Sequence, residues 1–462
     1  MEQDQQMTRF VHQLAMGLGA VTIALSLFSA PVSAQGSIRD AEIEELLRDY
    51  ADPIFVAAGL TPESVDIYVV QDSSLNAFVA GGQNMFINTG LILAADTPNE
   101  LIGVMAHETG HIAGGHLARM GDAMASATVP AYIGTAIGIG LMIAGMPEAG
   151  MMAMGLGNQT AMNEFLAYSR VQESAADQAA ANYLEATEQS GEGLLIFFDR
   201  FRDQEALSHI QQDAFVRSHP LNPERIALLQ RRVMNSDYIG QPDSPESIHR
   251  FQMVQAKIRG FLDRTDLVRR IYPETDTSMP ALYARSVANF REGRTELALG
   301  DIGQLIAIEP DNPFFHELRG QILFEAGRSE EAVPVFRTSV ELRPLSSLLR
   351  INLAQALLAM EEDGGDSEAN QEALRNLQIA VAFDDTSSFA WYQMAIAHGR
   401  AGNEGSADLA IAERYYAVRN LHEARQFAIR ARDKLPENGS QWNRAMDLIF
   451  LTNEGQRGRR PG

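Results

Sequence analysis

The sequence predicts a mainly α protein in two parts, an α+β N-terminal domain followed by an α-helical solenoid with tetratricopeptide (TPR) spacing. Three observations carry this. The chain has 462 residues, about three times a usual domain of roughly 150. A helix with strong start signals opens at Thr97, behind a run of short strands. Beyond about residue 290, small and apolar positions recur every 34 residues.

Composition narrows the function classes. With 37 Lys+Arg against 60 Asp+Glu the formal charge is −23, a sign that repels phosphate backbones, so nucleic acid is excluded as a partner. A hydrophobic content of 45% and a mean hydropathy of −0.14 fit a soluble chain rather than one with many membrane spans. The chain has no cysteine, which removes disulfides, thiolate catalysis and thiolate metal sites. Any metal must sit on His, Asp or Glu.

At the N-terminus the apolar run Leu14 to Ala30, followed by Pro31-Val32-Ser33-Ala34, reads as a signal peptide over 1–34 with cleavage before Gln35. A start at Met7 would leave Arg9 as a positive n-region. The alternative is an uncleaved anchor helix; either way the working part is exported. Residues 38–60 read as an amphipathic helix, and Ile67 to Val70 and Asn84 to Asn88 as strands around a Gly81-Gly82 turn. Thr97-Pro98-Asn99-Glu100 supplies an N-cap, a first-turn proline and a capping-box Glu, predicting a helix from Pro98 through Leu117.

Thr128 to Gly145 is eighteen residues without a charge, four of them Gly. It reads as a hairpin or cover over a groove, with peripheral membrane contact or a span as the competing reading. A helix follows from Asn163 to Leu184, then Leu194 to Phe201, then the proline-fixed loop Ser218-His219-Pro220-Leu221-Asn222-Pro223. Pro242, Pro245, Pro273 and Pro280 mark a boundary region, and the units are set at 35–270, 271–454 and a disordered tail 455–462. In the second unit Ala298, Ile302 and Pro310 recur as Ala332, Phe336 and Pro344, and Gly293 as Gly327, giving about four repeats with an acidic insertion at Glu361 to Glu368.

The chemistry lies in His107-Glu108-Thr109-Gly110-His111. Histidines four apart on a helix project from one face and can grip one ion. With 10 His and 60 acidic residues in 462, such a pattern arises by chance about 0.03 times. Zinc on two imidazoles and a carboxylate keeps an open position for water, and Glu108 can act as general base. Glu173 is the best candidate for the third ligand, on a later helix. Glu173 and Asp177 form a like-charge i, i+4 pair that calls for a nearby cation or donors, and Asp177 can orient a ligand imidazole. His219, aimed by its prolines, could stabilise an oxyanion, fill the fourth metal position and silence the site, or simply cap its loop. His116 faces elsewhere on the helix and reads as structural.

Asn76-Ala77-Phe78, Asn84 to Leu91, HETGH at 107–111, Tyr168-Ser169-Arg170 with Glu173 to Asp177, and Ser218-His219-Pro220 with Glu224-Arg225-Ile226 resemble the zinc metallopeptidase family of the CaaX prenyl protease and HtpX. The export signal and repeats narrow the resemblance to its periplasmic branch in Gram-negative bacteria. It implies a zincin-type metallopeptidase domain of gluzincin-like kind. His107, His111 and Glu173 would be zinc ligands, one Zn2+ per chain, with Glu108 the base, Asp177 behind the ligands and His219 auxiliary. It also implies work on unfolded or stalled outer-membrane proteins, with the repeats binding substrate or the beta-barrel assembly machinery. A chaperone or assembly adaptor with a gated, mostly latent protease site is the alternative, and an integral-membrane peptidase ranks last.

Overall fold

The computed structural model of the chain describes residues 36–143, 147–201, 214–360 and 367–457. The signal segment read at 1–34, residues 361–366 of the acidic insertion and 458–462 of the tail lie outside the described residues.

The N-terminal unit is built on a four-stranded sheet of β1 (Ser37–Ile38), β2 (Asp66–Val70), β3 (Ala77–Ala80) and β4 (Asn84–Asn88), in the order β1-β2-β4-β3. β2 and β4 run parallel, whereas β3 and β4 form a hairpin whose turn needs Gly81 and Gly82, at φ +60° and +106°. Helix α1 (Ala41–Ala57), capped by Asp40, buries Ile43, Leu46, Leu47, Ile54 and Phe55, a helical stripe that joins Val69, Met85 and Ile87 of the sheet in one core.

After α2 (Thr89–Ala94), α3 (Pro98–Ala113) starts as its sequence requires: Thr97 accepts from the Glu100 amide at 3.3 Å. Glu100 reaches back to the Asp96 amide at 3.2 Å, one residue earlier than a standard capping box. The helix stops at Ala113, short of the expected Leu117, because Gly115 takes φ +61° and turns the chain.

Helix α4 (His116–Ile143) then runs out and α5 (Pro147–Ala186) returns beside it. The uncharged 128–145 stretch is thus the distal half of α4, with 144–145 outside the described residues. Its glycines are contact points: a methyl on Gly138 would stand 2.6 Å from the Gly150 carbonyl oxygen, and one on Gly134 2.8 Å from Gly157 Cα. Among the described residues no helix is long and apolar enough to cross a membrane. Helices α6 (Glu192–Asp199), α7 (Ala214–Ser218) and α8 (Pro223–Met234), the last capped by Asn222, complete the unit.

The proline-rich region 240–280 holds helices, two of them with a proline in the first turn, Pro245 and Pro280. In α9 (Pro245–Leu262), Phe251, Val254 and Ile258 pack into the N-terminal core, while Met253 and Ala256 pack into the repeats. After α10 (Thr265–Ile271) come α11 (Met279–Arg291) with α12 (Thr295–Ile308), α13 (Pro313–Glu325) with α14 (Ser329–Leu342), and α15 (Ser347–Ala359) with α16 (Glu368–Phe383). Then follow α17 (Ser388–Arg400) with α18 (Glu404–Ala417), and α19 (Leu421–Lys434) with α20 (Ser440–Arg457). That is five helix pairs among the described residues, against about four repeats in the sequence pattern. The last helix extends into the tail read as disordered, as far as Arg457. Met279 to Pro313 and Pro313 to Ser347 are each 34 residues, the TPR period. Gly293, Gly327 and Gly402 turn between paired helices at φ +71°, +75° and +74°.

Candidate metal centre

Helix α3 presents the two histidines, and a close approach by α5 brings them their acidic partners. Gly110 is the contact point: a methyl there would lie 2.9 Å from the Ala176 carbonyl oxygen. With both backbones this close, Glu173 and Asp177, one turn apart on α5, reach across to α3. The loop between α7 and α8 supplies His219. Its amide bonds to the Phe215 carbonyl at 2.7 Å and its ring stacks on Phe215, with centroids 4.8 Å apart.

One ligand atom each from His107, His111, Glu173 and His219 lies within 4.8 Å of all the others, and all four residues are buried. His111 Nε2 is 3.1 Å from His107 Nε2, and each is 3.4 Å from a Glu173 oxygen. His219 Nδ1 is 3.3 Å from His107 Nε2 and from both Glu173 oxygens. Glu108 stands next to this group, its Oε1 3.3 Å from His219 Nε2. Both Glu108 oxygens are buried without a hydrogen-bond donor among the described residues. Three ring nitrogens and a carboxylate converging in a buried space form a donor set that fits a divalent ion, and nitrogen–nitrogen contacts near 3 Å suit shared coordination.

Asp177 and Arg225 hold the arrangement from behind. Asp177 Oδ1 lies 3.0 Å from His107 Nδ1, on the side of the ring away from the cluster, and Nε2 faces the cluster. Arg225 donates to both Asp177 oxygens and lies 2.9 Å from Glu173 Oε2, with its guanidinium over the Phe198 ring. Burial alone would raise the Glu173 carboxyl, but His219 and Arg225 together hold it well below the usual carboxylate range. Burial likewise disfavours the charged form of His107, yet Asp177 and Glu173 outweigh it and lift the ring to about 9. For Glu108 burial wins, and its pKa is raised.

The residues singled out in the sequence, His107, Glu108, His111, Glu173, Asp177 and His219, thus meet in one place. Two more that the sequence did not assign meet there too. Arg225 sits in the first turn of α8, where a cation opposes the helix dipole and needs an acidic partner, a signal legible in principle. His116 is not turned away: it is buried, with Nδ1 3.0 Å from His111 Nδ1.

A buried cluster of three histidines and a glutamate assembled around an HExxH helix, with the Glu108 carboxylate beside it, fits a metallopeptidase. Residues 37–233 match Peptidase family M48. The chain is similar to the Beta-barrel assembly-enhancing protease of Escherichia coli, 25% identical over 365 residues covering 77% of this chain and 72% of that protein. It is similar to the Putative beta-barrel assembly-enhancing protease of Vibrio cholerae serotype O1, 25% identical over 430 residues covering 91% and 86%. Among solved structures, YrrB, a TPR protein with an unusual peptide-binding site, is 15% identical, covering 38% of this chain and 88% of that one at a TM-score of 0.31.

Proposed function

We propose that the chain is a periplasmic zinc endopeptidase acting on unfolded or stalled outer-membrane proteins, its TPR array binding substrate or the beta-barrel assembly machinery. The convergence of His107, His111 and Glu173 beside Glu108 carries this reading. The names of the similar proteins support the link to barrel assembly, and the apolar run Leu14 to Ala30, read as a signal peptide, supports the compartment.

Zinc held by His107, His111 and Glu173 would supply Lewis acidity for the attacking water and the scissile carbonyl. Glu108 then takes the proton of that water and passes it to the leaving amine, work suited to its raised pKa. Asp177 and Arg225 keep His107 and Glu173 in place. The substrate's route is an open sheet edge. β4 is flanked by β2 and β3, so the Asn84 segment cannot take another strand, whereas β3 lies at the edge. β3 begins beside Asn76, whose Oδ1 accepts from Ser218 at 3.3 Å, next to His219. An extended chain added to β3 would therefore pass the centre.

His219 supports a second feature, latency. Its Nδ1 lies among the ligand atoms and its Nε2 faces Glu108, the place where the attacking water would stand. A gated protease and an assembly adaptor are then two states of one molecule.

The α4–α5 hairpin exposes Tyr132, Ile133, Ile137, Met151, Met152 and Leu156, a surface suited to peripheral contact with a lipid layer. Flotation with phosphatidylethanolamine/phosphatidylglycerol vesicles should carry the wild type but not Ile133→Glu/Ile137→Glu; equal flotation removes this contact.

The central test is cleavage of casein by the purified chain, with zinc measured on the same sample and Glu108→Gln as control. Cleavage lost in the control at unchanged zinc content, about one ion per chain, is the expected result. A chain that binds no zinc would overturn the reading.

A further inference from the structure

We infer that His116 is a positioning residue for the metal centre: its neutral ring accepts a hydrogen bond at Nδ1 from His111 Nδ1, fixing the tautomer in which His111 Nε2 faces the cluster. This rests on the zinc-site reading above and extends it to a residue outside the HETGH sequence. The two Nδ1 atoms are 3.0 Å apart and the rings meet edge to face, with centroids at 4.9 Å and planes at 85°. At this distance one nitrogen must carry the proton and the other the lone pair. If His111 carries it, Nε2 is left with a free lone pair, 3.1 Å from His107 Nε2 and 3.4 Å from Glu173 Oε1, where a ligand must be. Asp177 Oδ1 stands 3.0 Å from the corresponding Nδ1 of His107. Each α3 histidine thus has its outer nitrogen occupied, one by a carboxylate and the other by an imidazole.

The local backbone is built for this contact. In an uninterrupted helix, a residue five past His111 would point to another face. The Gly114-Gly115 turn ends α3 and starts α4 at His116, so the ring folds back over the end of α3. A methyl on Gly114 would lie 2.4 Å from His116 Nε2 and 2.7 Å from its Cδ2. Position 114 therefore has no space for a side chain while His116 occupies this place. The Arg119 guanidinium donates to the Gly114 carbonyl and closes the turn.

The test compares His116→Asn with His116→Leu in the full chain. The two side chains have nearly the same shape, but only Asn offers an acceptor near the Nδ1 position. Zinc affinity is measured by competition with a chromophoric chelator, and the metal-free melting temperature of each variant is recorded alongside. The expected result is binding about 10- to 100-fold weaker for Leu than for Asn, with similar metal-free melting temperatures. Equal zinc affinity of the two variants overturns the inference, as does failure of both to fold, which would make His116 a packing residue. A wild type that binds no zinc would instead defeat the zinc reading itself, so the two failures are distinguishable.

Discussion

His219 is the residue on which the proposed latency of the centre turns. Its Nδ1 is 3.3 Å from His107 Nε2 and from Glu173, among the candidate ligand atoms, and the proposed latency follows from that place. His219→Ala should therefore raise the rate of casein cleavage. A fall equivalent to roughly 3–4 kcal/mol of transition-state stabilisation would assign the oxyanion role instead, and an unchanged rate would sink both. At this scale the sequence was legible wherever a spacing constrains chemistry: two histidines four apart, and an acidic pair one helical turn apart. It was not legible where a partner comes from far along the chain. The Arg225 guanidinium meets Asp177 and Glu173 across 48 and 52 positions, and nothing local marks that pairing beyond a cation in a first turn. His116 was read away from the site because the helix was extended through Gly114-Gly115.

Glycines are where helices are read least well, because one residue type serves both as a breaker and as a contact. Gly115 ends α3, whereas Gly110, Gly134 and Gly138 lie inside helices and let a neighbour approach. The uncharged 128–145 stretch, with its four glycines, read as a hairpin or a cover over a groove, and through Ile143 it is continuous helix in the α4–α5 hairpin. Gly110 is the position where this matters for function. Its contact with Ala176 sets the separation of α3 and α5, and so whether Glu173 reaches both histidines. Gly110→Ala should cost about 1–3 kcal/mol as the helices move apart, and should lower zinc occupancy and cleavage together while the far-ultraviolet circular dichroism stays helical. Full zinc occupancy in that variant would show that Glu173 tolerates a wider spacing.

Across the whole molecule, the two units share a buried ionic cluster where the 240–280 region was expected to separate them. Lys257 of α9 lies 2.7 Å from Asp40, 3.2 Å from Glu42 and 3.6 Å from Glu317, so α1, α9 and α13 meet on one ammonium. Tyr283 donates to Glu42 at 2.7 Å and Asn352 to Glu317 at 3.0 Å. Three carboxylates face one cation, so the charges do not balance. Burial lifts the Glu317 carboxyl to about 7, against the pull of Lys257 and with the push of Asp40 and Glu42. The sign follows from proton uptake. Between the ordinary carboxyl value of 4.5 and about 7 the folded chain holds a proton on Glu317 that the unfolded chain has lost, so this group's contribution to stability falls as pH rises through that window. Glu317→Gln removes the titration and keeps an acceptor for Asn352. Thermal melts from pH 5 to 8 should show wild type losing stability relative to the variant as pH rises, with the difference level above about pH 7. Parallel curves would mean that Lys257 already neutralises Glu317 and that the contact between the units does not respond to pH.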